Sequence, residues 1–327
     1  MLFGTHSEEG SMTESRTLPD LLQAMRGFQE SRVLLTAMEL DILPACGAGA
    51  NADAVAAVIG CDPRATGMLL NTLASMGVLV KEGERFRCTE AAAALGRERA
   101  GMLHMANLWD TWSSLTGCVR TGTTARTGPP GGKVEHFIAA MHARARTVAG
   151  DALRVVGHRG VRRLLDVGGG PATFAIAFAQ AEPGLRAEVL DLGPVLPIAR
   201  EHIREAGLED RVSVREGDLR SDPFGEGYDL VLVSAICHML GEDQNRDLLA
   251  RCARALAPGG RVAIREFILD PDRAGPPTAA MFALNMLVGT PGGNTYTEAK
   301  YRSWLAQAGC SRISRPEPAG DWIIGTR

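Results

Sequence analysis

Between Leu18 and Gly96 the apolar residues recur at three- and four-residue spacing, the period of a helix with one buried face. LLQAMRGFQESRVLLTAMELDIL predicts one long helix. NADAVAAVIGCDPRATGMLLNTLASMGVLV predicts two short ones parted at Cys61-Asp62-Pro63, an acid able to cap followed by a proline suited to a first helical turn. VLVKEGERFRCTE then alternates and turns at Glu82-Gly83-Glu84, a two-stranded hairpin. Helix-turn-helix plus hairpin is a winged helix, expected over 18–96. Residues 97–157 return to helical periodicity in MLHMANLWDTWSSLTGCVRTG and HFIAAMHARARTVAGDALRVV, with a Pro-Gly break at 128–132 between them. From Val161 the rhythm changes again. RLLDVGG, AEVLDLG, RVSVREGD, YDLVLVSAI and RVAIREFI are short apolar strand candidates separated by helical stretches, which predicts an α/β fold over 158–327 with a parallel sheet covered on both faces.

Composition narrows the class. The chain has 327 residues, 45% hydrophobic and 22% charged, with a formal charge of -3, so neither nucleic acid nor an anionic membrane is an expected partner. The second helix of the winged helix, Pro63 to Met76, carries Arg64 as its one basic residue, where a DNA-reading helix needs cations for phosphates. Dimerisation is the better reading of that fold. Seven cysteines without metal-ligand spacing fit free thiols in a reducing cytoplasm and no metal. MLFGTHSEEGSM reads as a leader or tag, residues 1–17 falling outside the fold, with Met12 a plausible start.

Ligands of such sheets bind at the carboxyl ends of the strands. At the first end, Asp166 precedes Gly168-Gly169-Gly170, bare backbone at a helix start. Thr173 stands where a dinucleotide fingerprint would have its third glycine. At the second, Asp191 lies 23 residues after Gly168, placed to accept from both ribose hydroxyls, with Leu192 beside it. At the third, Asp218 can accept from an exocyclic amine while Leu219 packs on a purine. Glycine, acid and acid at three successive tips fit a methionine-derived nucleoside better than a nicotinamide dinucleotide, because no phosphate needs holding.

DVGGG, VLDLGPV, GDL, SAICHMLGED and LAPGGRVAIREFIL, following a winged helix, resemble the S-adenosylmethionine-dependent O-methyltransferases that include the caffeic acid and hydroxyindole enzymes and many bacterial natural-product methylases. The resemblance runs from about residue 18 to the C-terminus. It implies a Rossmann-like class I methyltransferase sheet, a homodimer formed through the N-terminal domain, and a hydroxyl on a small aromatic or polyketide-like acceptor. It makes Asp166 and Gly168 to Gly170 the methionine turn, Asp191 with Leu192 the ribose site and Asp218 with Leu219 the adenine site. Ser234 falls where plant members carry a cofactor-side lysine. His238, in Ile236-Cys237-His238-Met239-Leu240, takes the slot of the family's general base. Glu266 matches one flanking acid and Thr295 stands in the slot of the second. Methyl transfer from a sulfonium is an in-line displacement, and a base must take the acceptor's proton as the methyl moves. Trp109, Met141, Met239, Asn285 and Thr295 are the acceptor-side candidates; Leu34, Leu35, Met38 and Leu40 are expected to meet a second subunit. Two alternatives stay open: C- or N-methylation on the same fold, since Met239 and Thr295 depart from the family pattern, and a nucleoside-sensing DNA-binding regulator.

Overall fold

The computed structural model describes residues 15–124, 134–317 and 320–327. The proposed leader at 1–14 with its start at Met12, and the Pro-Gly break at 128–132, lie outside the described residues. The chain falls into two compact units, one ending at Arg99 and one beginning at Ala100.

The first unit begins with helix α1 (Leu18–Glu39). Thr17 and Asp20 cap it reciprocally: the Thr17 N–H donates to the Asp20 carboxylate at 2.9 Å, while the Thr17 hydroxyl oxygen accepts from the Asp20 N–H. Helices α2 (Ile42–Cys46), α3 (Ala52–Ile59) and α4 (Pro63–Ser75) follow, with Asn51 and Asp62 capping the last two and Gly60 closing α3 at φ 68°. Strands β1 (Leu79–Glu82) and β2 (Arg85–Cys88) pair antiparallel, and helix α5 (Glu90–Arg97) ends the unit. The apolar face of α1 differs from expectation. Met38 is buried within its own unit, and Leu34, Leu35 and Leu40 are partly covered. Exposed instead are Leu18, Leu21, Leu22, Met25 and Phe28, with Met25 at 74% and Phe28 at 57%. Helix α1 packs on α2 and α4, and the large apolar residues it leaves exposed all lie in its N-terminal turns.

The second unit opens with helices α6 (Arg99–Ser113), α7 (Leu115–Thr121) and α8 (Val134–Val156). A strand-helix alternation follows: β3 (Arg163–Val167), α9 (Thr173–Ala181), β4 (Arg186–Asp191), α10 (Leu196–Glu205), β5 (Val212–Glu216), β6 (Tyr228–Ser234), α11 (Glu242–Ala255) and β7 (Leu256–Arg265). Beyond these come β8 (Ile268–Leu269), α12 (Pro277–Gly289), β9 (Tyr296–Thr297), α13 (Glu298–Gln307), β10 (Arg312–Ser314) and β11 (Trp322–Thr326). The main sheet has the order β10-β11-β7-β6-β3-β4-β5. All five predicted strands are present and mutually parallel, but β11 and β10 extend the sheet antiparallel at the β7 edge, so it is mixed. An antiparallel edge needs no crossover helix, and strand-helix alternation therefore gives no sign of it.

Successive strand residues face opposite sides, and both sides are buried. Leu165, Val167, Val231, Val233 and Ile264 pack against Leu248, Leu249 and Cys252 of α11 and Tyr301, Trp304 and Leu305 of α13. Leu164, Val189, Leu230 and Leu232 pack against Phe174 and Phe178 of α9 and Ala199 and Ile203 of α10. The short parallel pair β8–β9 matches Ile268 with Tyr296, which brings residues 292–296 to the end of β7.

Candidate active site

At the tip of β3 the chain turns through Gly168 at φ 66° and Gly170 at φ 53°, a region costly to any residue with a Cβ. Space excludes a side chain as well: a Cβ on Gly168 would lie 2.4 Å from Ile236 Cδ1 and 3.4 Å from Leu219, and one on Gly169 would lie 2.6 Å from Asp166 Cγ. The first contact joins three tips, because Ile236 belongs to the His238 turn after β6 and Leu219 follows β5. The Gly168 N–H donates to the Leu190 carbonyl at 2.8 Å, tying the turn to β4.

Asp191, at the end of β4, accepts from the Gly170 N–H at 2.8 Å and from the Leu192 N–H at 2.7 Å, one on each carboxylate oxygen. Burial raises its pKa against the pull of those two amides. Each oxygen keeps lone-pair capacity for a further donor. Asp166 lies beneath the turn, 1% exposed, and among the described residues no donor meets hydrogen-bonding geometry at either carboxyl oxygen. Burial and the neighbouring Asp191 carboxylate push it up to about 7, with the Ala175 amide pulling weakly the other way. Asp218 is differently occupied. The Arg220 guanidinium forks onto its carboxylate at 2.7 to 3.1 Å and the Arg220 N–H adds a bond at 2.9 Å, which together hold it below the usual carboxylate range. Leu192 is half exposed, and Ser234 ends β6 opposite Arg265.

The acceptor-side candidates cluster on the next two tips. After β6 the backbone passes through Ala235 at φ 58° into the single turn Cys237–Met239 that carries His238. His238 Nδ1 lies 2.8 Å from Glu266 Oε2, and the His238 N–H donates to Glu266 Oε1 at 3.3 Å. Both side chains are buried. An ionised carboxylate only accepts, so in this pairing Nδ1 carries a hydrogen and, in the neutral ring, Nε2 presents a lone pair. Phe282 meets the imidazole edge-on at 4.8 Å and stacks on Phe267 at 3.9 Å, and the Arg144 guanidinium lies 5.4 Å from the Phe267 ring centre.

The His238 turn is anchored by residues that the sequence did not single out. Asn245 Nδ2 donates to the Cys237 and Leu240 carbonyls at 2.9 and 3.1 Å, the Tyr296 hydroxyl donates to the Leu240 carbonyl at 2.6 Å, and the Asn294 N–H donates to the His238 carbonyl at 2.9 Å. A Cβ on Gly293 would lie 2.4 Å from that same carbonyl. The Gly-Gly of PGGNTYT was the one available signal of so close an approach. Thr295 is buried with its hydroxyl donating to the Ala279 carbonyl at 3.1 Å, so it serves helix α12 and leaves Glu266 as the acid bonded to His238. Asn285 Oδ1 accepts from Trp112 Nε1 at 2.9 Å. Trp109 and Met141 are partly buried and Met239 is 37% exposed. Cys237 is fully buried, its thiol pushed well up by burial and by Glu266.

The donor set suits a nucleoside bearing an amino acid. Backbone amides, two acids and an uncompensated buried carboxylate surround the turn, and among the described residues no group of His, Cys, Asp and Glu could hold a metal ion. No described helix is long and apolar enough to cross a membrane.

Comparison with known proteins gives the same picture. Residues 125–311 match the family profile of the O-methyltransferase domain, and residues 22–97 that of the O-methyltransferase dimerisation domain. The chain is 35% identical over 303 residues to 3-hydroxy-5-methyl-1-naphthoate 3-O-methyltransferase of Streptomyces sahachiroi, covering 88% of each chain. It is 30% identical to the tetracenomycin polyketide synthesis 8-O-methyl transferase of Streptomyces glaucescens, over 94% of this chain and 96% of the other. Among solved structures, PigF with SAH superposes with a TM-score of 0.86 at 26% identity, over 95% of this chain and all of that one.

Proposed function

The chain belongs to the O-methyltransferase family, and from that premise we propose that His238 is the base by which it methylates a hydroxyl of a small aromatic or polyketide-like molecule. Membership makes it an S-adenosylmethionine-dependent enzyme; when bound, that donor supplies an electrophilic methyl on sulfur and is left as S-adenosylhomocysteine. The observation that carries the reading is the buried His238–Glu266 pair. Glu266 fixes the imidazole tautomer and stabilises the imidazolium that forms, so Nε2 is free to take the acceptor's proton. Burial among Phe267 and Phe282 strengthens that pairing by excluding water.

On the donor side, the Gly168–Gly170 backbone receives the methionine moiety, Asp191 with Leu192 the ribose, and Asp218 with Leu219 the adenine, whose amine shares the Asp218 carboxylate with Arg220. Ser234 borders the same pocket. On the acceptor side, the stacked phenylalanines suit a planar molecule and Met239, Met141 and Trp109 give it apolar surface. Trp112 takes Asn285 Oδ1, which leaves the Asn285 amide hydrogens to donate.

The exposed α1 residues Leu18, Leu21, Leu22, Met25 and Phe28 form one stripe at helical spacing, which supports a homodimer through the first unit. Met25→Glu should shift the mass found by light scattering from two chains toward one. Seven free cysteines fit a cytoplasmic setting. The direct test offers the purified protein S-adenosylmethionine and a panel of phenols and naphthols, reads product mass and locates the added methyl by NMR. An added methyl on oxygen is expected; methyl on ring carbon, or none with donor bound, overturns the reading.

A further inference from the structure

Between the glycine turn and helix α9 stands Ala172, whose φ of 63° puts a residue with a Cβ in the left-handed region. Such a conformation persists only where its surroundings over-determine it. Ala172 is fully buried, its N–H donates to the Gly169 carbonyl at 3.0 Å, and its carbonyl accepts from the Ile176 N–H at 2.9 Å. The first bond closes the turn and the second starts helix α9, but neither reaches helices α8 and α10.

Two imidazoles from distant helices do. His202 of α10 has Nδ1 3.1 Å from the Pro171 carbonyl, and since a carbonyl only accepts, Nδ1 carries the hydrogen. His142 of α8 has Nδ1 2.8 Å from Thr173 Oγ1. The residue before Ala172 is thus held by one histidine and the residue after it by the other. The two rings face each other with centres 4.2 Å apart and planes 30° from parallel, so each limits the other's rotation. With Arg146, Gln180 and Glu205 they line an open hollow beside α9. Burial, His202 and Arg146 pull His142 down to about 4, so it stays neutral through the neutral pH range and keeps its bond to Thr173 without carrying charge toward Arg146.

We propose that His142 and His202 are positioning residues, a stacked clamp that holds Pro171, Ala172 and Thr173 so that the Gly168–Gly170 amides keep the geometry the donor requires. The proposal rests on the reading of that turn as the donor site. Neither histidine touches the reacting atoms; they act through the turn.

The test measures S-adenosylhomocysteine binding by calorimetry and steady-state kinetics on His142→Phe and His202→Phe, which keep a stacked ring and remove its nitrogens. The dissociation constant should rise about tenfold in each. KM for S-adenosylmethionine should rise in parallel, with kcat at saturating donor and KM for the acceptor within twofold of wild type. Thr173→Val added to His142→Phe should cost nothing more, because both remove one bond. Ala172→Gly added to His202→Phe should recover at least half of the lost affinity on a logarithmic scale, since glycine needs no clamp to hold a positive φ. Affinity unchanged in both single variants overturns the clamp. So does a loss that glycine at 172 does not recover and that weakens the acceptor equally, which would mark general loosening of the fold. A wild-type protein that does not bind S-adenosylhomocysteine refutes the donor-site reading itself.

Discussion

At the tips of β3 and β4 the chain offers backbone: a turn with two left-handed glycines, amides that converge on Asp191, and beneath them a buried acid with no hydrogen-bond partner among the described residues. At the tips of β6 and β7 it offers side chains: an imidazole and a carboxylate removed from water, walled by two stacked phenylalanines and anchored from helix α11 and from residues 293–296. The two halves meet at Gly168, which a Cβ would drive into Ile236 of the histidine turn. The difference separates two kinds of work. On the proposed reading, backbone and acids bind a ligand of fixed shape, whereas the desolvated acid–base pair acts on a proton that appears only when an acceptor is present. Damage to the first half should therefore be read in affinity, and damage to the second in turnover.

The largest effect expected is at His238. Replacement by alanine should lower turnover by roughly 10² to 10⁴ while S-adenosylhomocysteine affinity stays within about twofold. A pH–rate profile of both proteins on the identified acceptor checks it, and equal rates would leave the second half a structural feature and turn attention to methylation at carbon. Next comes Asp191→Ala, which removes the acceptor of two backbone amides as well as the proposed ribose clamp. Donor binding measured by calorimetry should weaken by about 2 to 3 kcal/mol, roughly 30- to 150-fold, with kcat at saturating donor nearly preserved. A fall in kcat equal to the loss of binding would erase the division between the halves.

Asp166 sharpens the comparison through pH. Its carboxyl is held up to about 7, above the ordinary value near 4, so the folded protein keeps a proton that the unfolded chain releases. That contribution to stability is complete below about pH 4 and is lost as pH rises through 7. Without donor, the protein should lose on the order of 2 kcal/mol between pH 5 and 7 from this group, a few degrees in melting temperature, and Asp166→Asn should flatten that slope. Parallel slopes in the two proteins would show that the carboxyl is ionised in the fold. The smallest effect belongs to Glu266→Gln, which keeps the shape and a bond to the imidazole but removes the charge that favours imidazolium. Turnover should fall about tenfold, less than in His238→Ala. A loss as great as at His238 would make the pair a single unit, in which neither partner acts without the other's charge.

What could be read along the chain was what is local to it. The five parallel strands announced themselves as short apolar runs between helical stretches, and each tip carried its chemistry within a few residues: Gly168 to Gly170 after β3, Asp191 at the end of β4, His238 after β6, Glu266 after β7. Helix α1 was equally legible, yet its exposed stripe was placed too near its C-terminal end, because which turns are covered depends on where α2 and α4 cross it. The tertiary structure decided everything that joins distant segments by side chains. Phe267 and Phe282 stack across the loop between β8 and α12, and Asn245 reaches back to the histidine turn. His142 and His202, from helices that precede β3 and follow β4 in the chain, close on one strained alanine. The physical reason is range. Strand period, glycine freedom and helix capping act over a few residues and leave a mark in the sequence, whereas the facing of two rings depends on how helices cross the sheet, and that is settled only when the whole core packs.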